Sequence, residues 1–228
     1  FHMFAVTTED FLHPMAVVEL LWQSCCASEA QKQEGSLTTR LKVRQQTQTL
    51  VDHSLLLGSS REGIHLHDIV LTYLRKRLSA EELRAEHEKV VETMMVTAAE
   101  RMRTTGRGLQ DTGQSDLPFD GEEVDWYCCV NGSYHMRNAL KSSVVPAQST
   151  SLRRWLLVED AVLSHQAAVT MGVTGLKELA ADYVAKGTAH HKASKTKYAL
   201  ALMLPGDQVS ARAMLKEAQQ ITARLKIN

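Results

Sequence analysis

The stretch Ser54-Leu55-Leu56-Leu57-Gly58-Ser59-Ser60-Arg61-Glu62-Gly63-Ile64-His65-Leu66-His67 decides how this chain is read. An apolar run meets a turn-forming block, Gly58 to Gly63. The block gives way to Ile64-His65-Leu66-His67, where apolar and polar residues alternate with a period of two. That is the pattern of a β-hairpin. Asp68 follows with a carboxylate suited to cap a helix, whose apolar face is expected to be Ile69, Val70, Tyr73 and Leu74.

Upstream, Pro14 is a good first helical residue. Met15, Val18, Leu21 and Trp22 then repeat at helical spacing, which predicts a short helix ending near Ser24. Residues 27–36 are polar and read as a loop or a frayed helix. Leu37, Leu41, Thr47, Leu50 and Val51 suggest a second helix with Arg40, Lys42 and Arg44 near its start. Helices, a hairpin and a further helix together predict a winged-helix domain over residues 1–78. Downstream, Ser79-x-x-Glu82 is a capping box that opens a long amphipathic helix running to about Arg103. Residues 104–123, rich in glycine and polar groups, predict a flexible loop. Helical segments are expected near 124–142, 149–170 (with a break near Val158-Glu159), 174–185, 192–204 and 208–226. The expected architecture is mainly α: a winged-helix domain with a small hairpin, then a domain of stacked helices over 79–228.

Composition agrees. Aromatic residues make up 5% of the chain, with 12 glycines and 4 prolines, too few for a sandwich or barrel of many short strands. Lys and Arg number 26 against 26 Asp and Glu, so no net charge draws the chain to nucleic acid or an anionic membrane. No apolar run is long enough to span a bilayer, and no signal peptide is recognisable. The cysteines form two adjacent pairs, Cys25-Cys26 and Cys128-Cys129, which suits free thiols in a reducing, cytoplasmic compartment. The opening Phe1-His2-Met3-Phe4 has no polar lead-in and reads as the interior of a longer chain.

Chemistry-bearing patterns are sparse. There is no phosphate loop, no dinucleotide fingerprint, no H-E-x-x-H and no nucleophile elbow. His53, His65 and His67 are near enough in sequence to share a metal, but no cysteine or carboxylate stands at ligand spacing. His190-His191 reads as solvated. Tyr134 and His135 read as packing residues. Arg40, Lys42 and Arg44 admit a recognition helix in a DNA groove, with a solvated helix face as the plainer reading.

Three sets of residues carry a resemblance. The first runs from Leu50-Val51-Asp52-His53-Ser54-Leu55-Leu56 through Ile64-His65-Leu66-His67-Asp68 to Tyr73-Leu74. The second is the opening, Phe4 to Asp10, Pro14, and Val18 to Trp22. The third comprises Tyr134-His135-Met136, Ala139, Leu152-x-x-Trp155-Leu156-Leu157 and Gly175-Leu176-x-x-Leu179-x-x-Asp182-Tyr183. Together, over about residues 1–185, they resemble the winged-helix and second helical domains of the STAND nucleotide switches. These are the NB-ARC proteins of apoptosis-like and innate-immune signalling, and the likeness is to members of the apoptotic protease-activating factor type.

The resemblance implies that His67 reaches the β-phosphate of ADP held in a neighbouring ATPase domain. It further implies that Asp68 steadies the following helix and that Leu66 stands where the family has Met. The phosphate loop and acidic strand needed for hydrolysis are absent and are expected N-terminal to Phe1. The chain is thus expected to be no enzyme itself, without catalytic or metal-binding residues. Its expected role is as a regulatory fragment of an ADP/ATP switch, in which ADP clamps the winged helix closed. Its partners would be its own nucleotide-binding domain, a C-terminal sensor and, on activation, further copies of the chain, with neither membrane nor nucleic acid among them. A winged-helix DNA-binding regulator and a helical-repeat adaptor remain the alternatives.

Overall fold

The computed structural model describes residues 2–9, 11–25, 37–105, 121–140, 144–158, 161–185, 196 and 208–225. A 3-10 turn, His2–Val6, comes first, followed by α1 (Met15–Cys25) and α2 (Leu37–Asp52). The hairpin strands are β1 (Leu57–Ser59) and β2 (Gly63–His65). The remaining helices are α3 (Asp68–Arg77), α4 (Ala80–Thr105), α5 (Gly121–Ala139), α6 (Thr150–Leu156), α7 (Ala161–Ala185) and α8 (Gln208–Leu225). The chain is therefore mainly helical with one small antiparallel hairpin, as its sequence predicts.

The hairpin is shorter than expected. Ser54 to Leu56 stay outside the strand, and the register pairs Leu57 with His65, Gly58 with Ile64 and Ser59 with Gly63. Two glycines make this turn possible. Gly58 adopts φ +98°, and a Cβ there would stand 2.1 Å from the Gly63 carbonyl oxygen. Gly63 has φ +107°. A third segment joins the hairpin: His13 N–H donates to the Ile64 carbonyl at 2.7 Å, and Ile64 N–H donates back at 2.8 Å. A 3-10 turn, an isolated bridge residue, two helices and the two hairpin strands thus follow one another in that order.

Two compact units divide the chain, residues 1–131 and 132–228, with the boundary inside α5. This departs from the expected division near residue 78. The physical reason is that α4, expected to open the second domain, packs along α1 and the N-terminal turn. Val90, Val91 and Met94 of α4 are buried in the first unit, as are Phe4, Val17, Leu20, Leu21, Leu56, Ile64 and Tyr127. Fully burying each large aliphatic side chain contributes about 1.5–3 kcal/mol, and this shared core is what makes 1–131 one body. The capping box is formed as expected. Ser79 N–H donates to the Glu82 carboxylate at 2.8 Å, and Glu82 N–H donates to the Ser79 hydroxyl at 3.2 Å. These bonds also lower the Glu82 pKa.

In the second unit α6 and α7 pack on each other and on a 3-10 turn, Pro146–Gln148. Ser149 caps α6, its hydroxyl accepting from Leu152 N–H at 3.1 Å. Leu152, Trp155, Leu156, Leu163, Leu176 and Leu179 are buried. The C-terminal part of α5 meets α7 at Gly132, where a Cβ would stand 2.8 Å from Gln166 Cγ. α7 bends at Gly172 (φ +71°, ψ 170°), so the boundary expected between the helices at 149–170 and 174–185 appears as a kink within one long helix. Helix is observed at 104–105 and 121–123, inside the expected loop, whose centre lies outside the described residues. The expected helix at 192–204 lies outside them too, apart from residue 196.

The two kinds of glycine predict different outcomes. Gly58→Ala forces a side chain into the left-handed region against backbone and should lower stability by about 2 kcal/mol or more. Gly175→Ala keeps helical angles but puts a Cβ 2.8 Å from Met171 Cγ and 3.8 Å from the Ala147 nitrogen, so the helical gain over Gly of ~1 kcal/mol offsets the shift of Met171 and the variant should be close to neutral. Chemical-denaturation midpoints of the two variants check this.

Candidate functional site

Residues 66–68 join β2 to α3, and each has a distinct place. Leu66 is buried and anchors the connection in the core. His67 is exposed and is the N-cap of α3, with φ −66° and ψ 137°; its Nδ1 accepts from Ile69 N–H at 3.4 Å. Asp68 was expected to be the cap. It is instead the first helical residue, exposed, with its carboxylate in the first turn, where the helix dipole favours negative charge. The cap therefore falls one residue earlier than the sequence suggested, because the backbone is still extended at His67 and turns helical at Asp68.

This cap settles which nitrogen of His67 faces outward chemistry. An accepting Nδ1 is a lone-pair nitrogen, so the proton of the neutral ring sits on Nε2. The other nitrogen of the imidazole is then a hydrogen-bond donor, and it is the neutral ring that serves both purposes, since an imidazolium has no lone pair left for the cap. Its natural ligands are oxyanions and carbonyl oxygens.

α3 is held by its inner face and by one arginine. Leu71 and Leu74 are buried. Arg75 Nε donates to the Ala5 carbonyl at 3.2 Å, one terminal nitrogen donates to the Thr7 carbonyl at 2.7 Å, and the other pairs with Glu9 at 2.8 Å. The guanidinium thus closes the open carbonyl end of the N-terminal turn. This anchoring rotates the helix from its expected orientation. Ile69 and Tyr73, assigned to the apolar face, are 73% and 59% exposed and lie four residues apart on the outer side of α3. Sequence reading missed this exposed pair. Five apolar or aromatic residues in six positions permit two stripes, and only the tie to Ala5 and Thr7 selects one.

Two of the three basic residues of α2 pair with a carboxylate of α1. Glu19 of α1 is buried, and its carboxylate accepts from Arg40 Nε at 2.8 Å and from Arg44 Nε at 2.7 Å. Lys42 alone of the three points to solvent without such a partner in α1. No group of three His, Cys, Asp or Glu residues that could hold a metal ion occurs among the described residues. His53 and His67 are exposed, and β2 ends before His67, so the strand alternation that would align His65 with His67 does not extend that far. His135 is fully buried and Tyr134 half-buried, with their rings edge to face at 5.3 Å, in keeping with packing roles. Cys25 is half-buried, Cys128 buried and Cys129 exposed. His190 and His191 lie outside the described residues. No helix among the described residues is long and apolar enough to cross a membrane.

Two substitutions test these local roles. His67→Ala should remove the cap and cost about 1 kcal/mol, while His67→Asn, which can cap as well, should restore most of it; amide exchange at Ile69 reads the difference. Arg40→Ala combined with Arg44→Ala leaves a buried carboxylate unpaired and should cost about 2–4 kcal/mol, more than Glu19→Gln, in denaturant titrations. Comparison with protein-family models, curated proteins and solved structures finds no match to this chain.

Proposed function

We propose that this chain is a regulatory segment of a STAND-type nucleotide switch, with His67 as the residue that senses a bound nucleoside diphosphate. The observation that carries the reading is the state of the His67 ring. Its Nδ1 is occupied by the cap of α3 and the residue is exposed at the helix start, so the neutral ring has its Nε2–H left for a ligand. A donor held in this way suits the terminal phosphate of ADP, which carries acceptor oxygens and negative charge. Leu66 fixes the position from below, and Asp68 stabilises the helix that follows.

Ile69 and Tyr73 support the same reading. They form an apolar strip on the outer side of the helix that His67 caps. A nucleotide-binding domain of the same chain, seated over this strip, would bring its ADP to the histidine and bury both side chains. ADP would then bind domain and winged helix together and hold the closed state, and exchange for ATP would loosen it, as a two-state equilibrium biased by differential contacts. The segment performs no hydrolysis of its own in this scheme. Its work is to hold the switch closed in the cytoplasm and, through the helices of residues 132–228, to relay a signal from a C-terminal sensor; assembly into oligomers would follow release.

Nothing comparable favours a DNA reader, since Arg40 and Arg44 are spent on Glu19. A helical adaptor has no use for the hairpin or for a histidine presented at its exit.

The test uses the chain joined to its nucleotide-binding domain. His67→Ala should release ADP about tenfold faster, the equivalent of losing one charge-assisted hydrogen bond, and should raise spontaneous activation. His67→Asn should retain the cap and still release ADP faster. Unchanged ADP release in both variants would overturn the assignment. Residues 1–228 alone should hydrolyse ATP at a negligible rate.

A further inference from the structure

His13 is buried to 1% exposure, yet neither of its ring nitrogens has a hydrogen-bond partner. Buried polar atoms are nearly always paired, so this ring sits in its place at a cost. It also sits on the joint of the sheet, because the backbone of His13 makes both hydrogen bonds that tie the N-terminal segment to Ile64 of β2. Its surroundings are aromatic. Phe11 lies 4.9 Å away, tilted by 46°, and Tyr127 of α5 lies 5.8 Å away, edge to face. Nδ1 of His65 is likewise buried without a partner.

The ring can therefore be accommodated only when neutral. Burial, and after it the charge of His65, lowers its pKa from 6.5 to about 4. The titratable groups of the described residues that face it are His65 from β2 and Tyr127 from α5. α1, which packs on β2, carries one charged residue, Glu19, and its carboxylate is committed to Arg40 and Arg44. α5 contributes Glu123, which is exposed, and Asp125, and His65 is the one charged group among the described residues that shifts His13.

We propose that His13 is an acid-sensitive latch: when its ring takes up a proton, the bridge to β2 opens and the hairpin is released while α1 to α4 remain packed. Local opening is the least costly way to hydrate the charge. The bridge comprises two backbone hydrogen bonds, Leu12 beside it is already exposed, and Phe11 is only half-buried. The latch is independent of whatever His67 binds, though its opening would free the strand that leads to His67.

The sign follows from linkage. A histidine whose folded pKa lies below its unfolded value favours the closed state above pH 6.5, and that contribution is lost as pH falls toward 4. Between pH 7.5 and 5 the open state should gain about thirtyfold over the closed one. His87 on α4, lowered to about 4 by burial and then by Arg75, titrates in the same window, so a His13 variant is needed to separate them.

The experiment is hydrogen exchange at the His13 and Ile64 amides, corrected for intrinsic rate, in the wild-type chain and in His13→Phe, with His13→Leu as the second variant. Bridge protection should fall about thirtyfold more in the wild type than in the variants, and the Val90 to Met94 amides should respond alike in all. Equal pH dependence of the bridge in wild type and variant would overturn the latch. So would a wild-type His13 ring that titrates near pH 6.5, or a variant-specific change at Val90 to Met94, which would show that opening is not confined to the hairpin.

Discussion

The pairing of His13 with Ile64 is the constraint on which the placement of the hairpin, and of the residues that follow it, depends. Two backbone hydrogen bonds convert an isolated two-stranded hairpin, marginal by itself in water, into a sheet tied to the segment that enters α1. With that tie in place Ile64 is buried in the core, as is Leu56, and β2 ends at His65. The exit carries Leu66 inward and His67 outward. Arg75 then fixes the helix that follows against the carbonyls of Ala5 and Thr7, so both ends of the β2–α3 segment are tied to residues near the N-terminus. The placement of the candidate site is thus decided by contacts some 50 to 70 positions away in the chain.

Electrostatics in this unit serves architecture first. Glu19 gathers two arginines of α2, and Arg75 satisfies two carbonyls and a carboxylate. Each of these cations would count as available charge in a reading of composition. In the fold they are already engaged, and the outward surface around His67 carries its imidazole, the Asp68 carboxylate and the apolar side chains of Ile69 and Tyr73.

Much of this was legible in the sequence where the cause is local. The hairpin could be read because Gly58 and Gly63 mark its turn, the capping box because Ser79 and Glu82 answer each other over one helical turn, and the α7 bend because Gly172 interrupts an apolar helix. The reading failed where the cause is tertiary. α3 offers two apolar stripes, and the choice between them is made by Arg75. The start of α3 was assigned to Asp68 because carboxylates cap helices well, whereas the path out of β2 puts His67 there. The division near residue 78 followed a change of pattern at Ser79, but a change of pattern marks a new element, and α4 belongs to the core of Phe4, Leu20 and Leu21. Burial of His13 had no local signal at all, since a histidine two residues after Phe11 looks like surface until the bridge forms.

The bend of α7 at Gly172 excludes other residues by handedness and not by crowding. A Cβ of the natural hand would meet nothing within 4 Å, so the space is open. The backbone angles there, φ +71° and ψ 170°, are the mirror image of ordinary extended chain. An L-residue is therefore refused where there is ample room for its side chain, while an achiral one, or an amino acid of the opposite hand, fits the same backbone without strain. The two arms of the helix meet at a joint set by stereochemistry, and so its angle can be kept without any side chain packed against it.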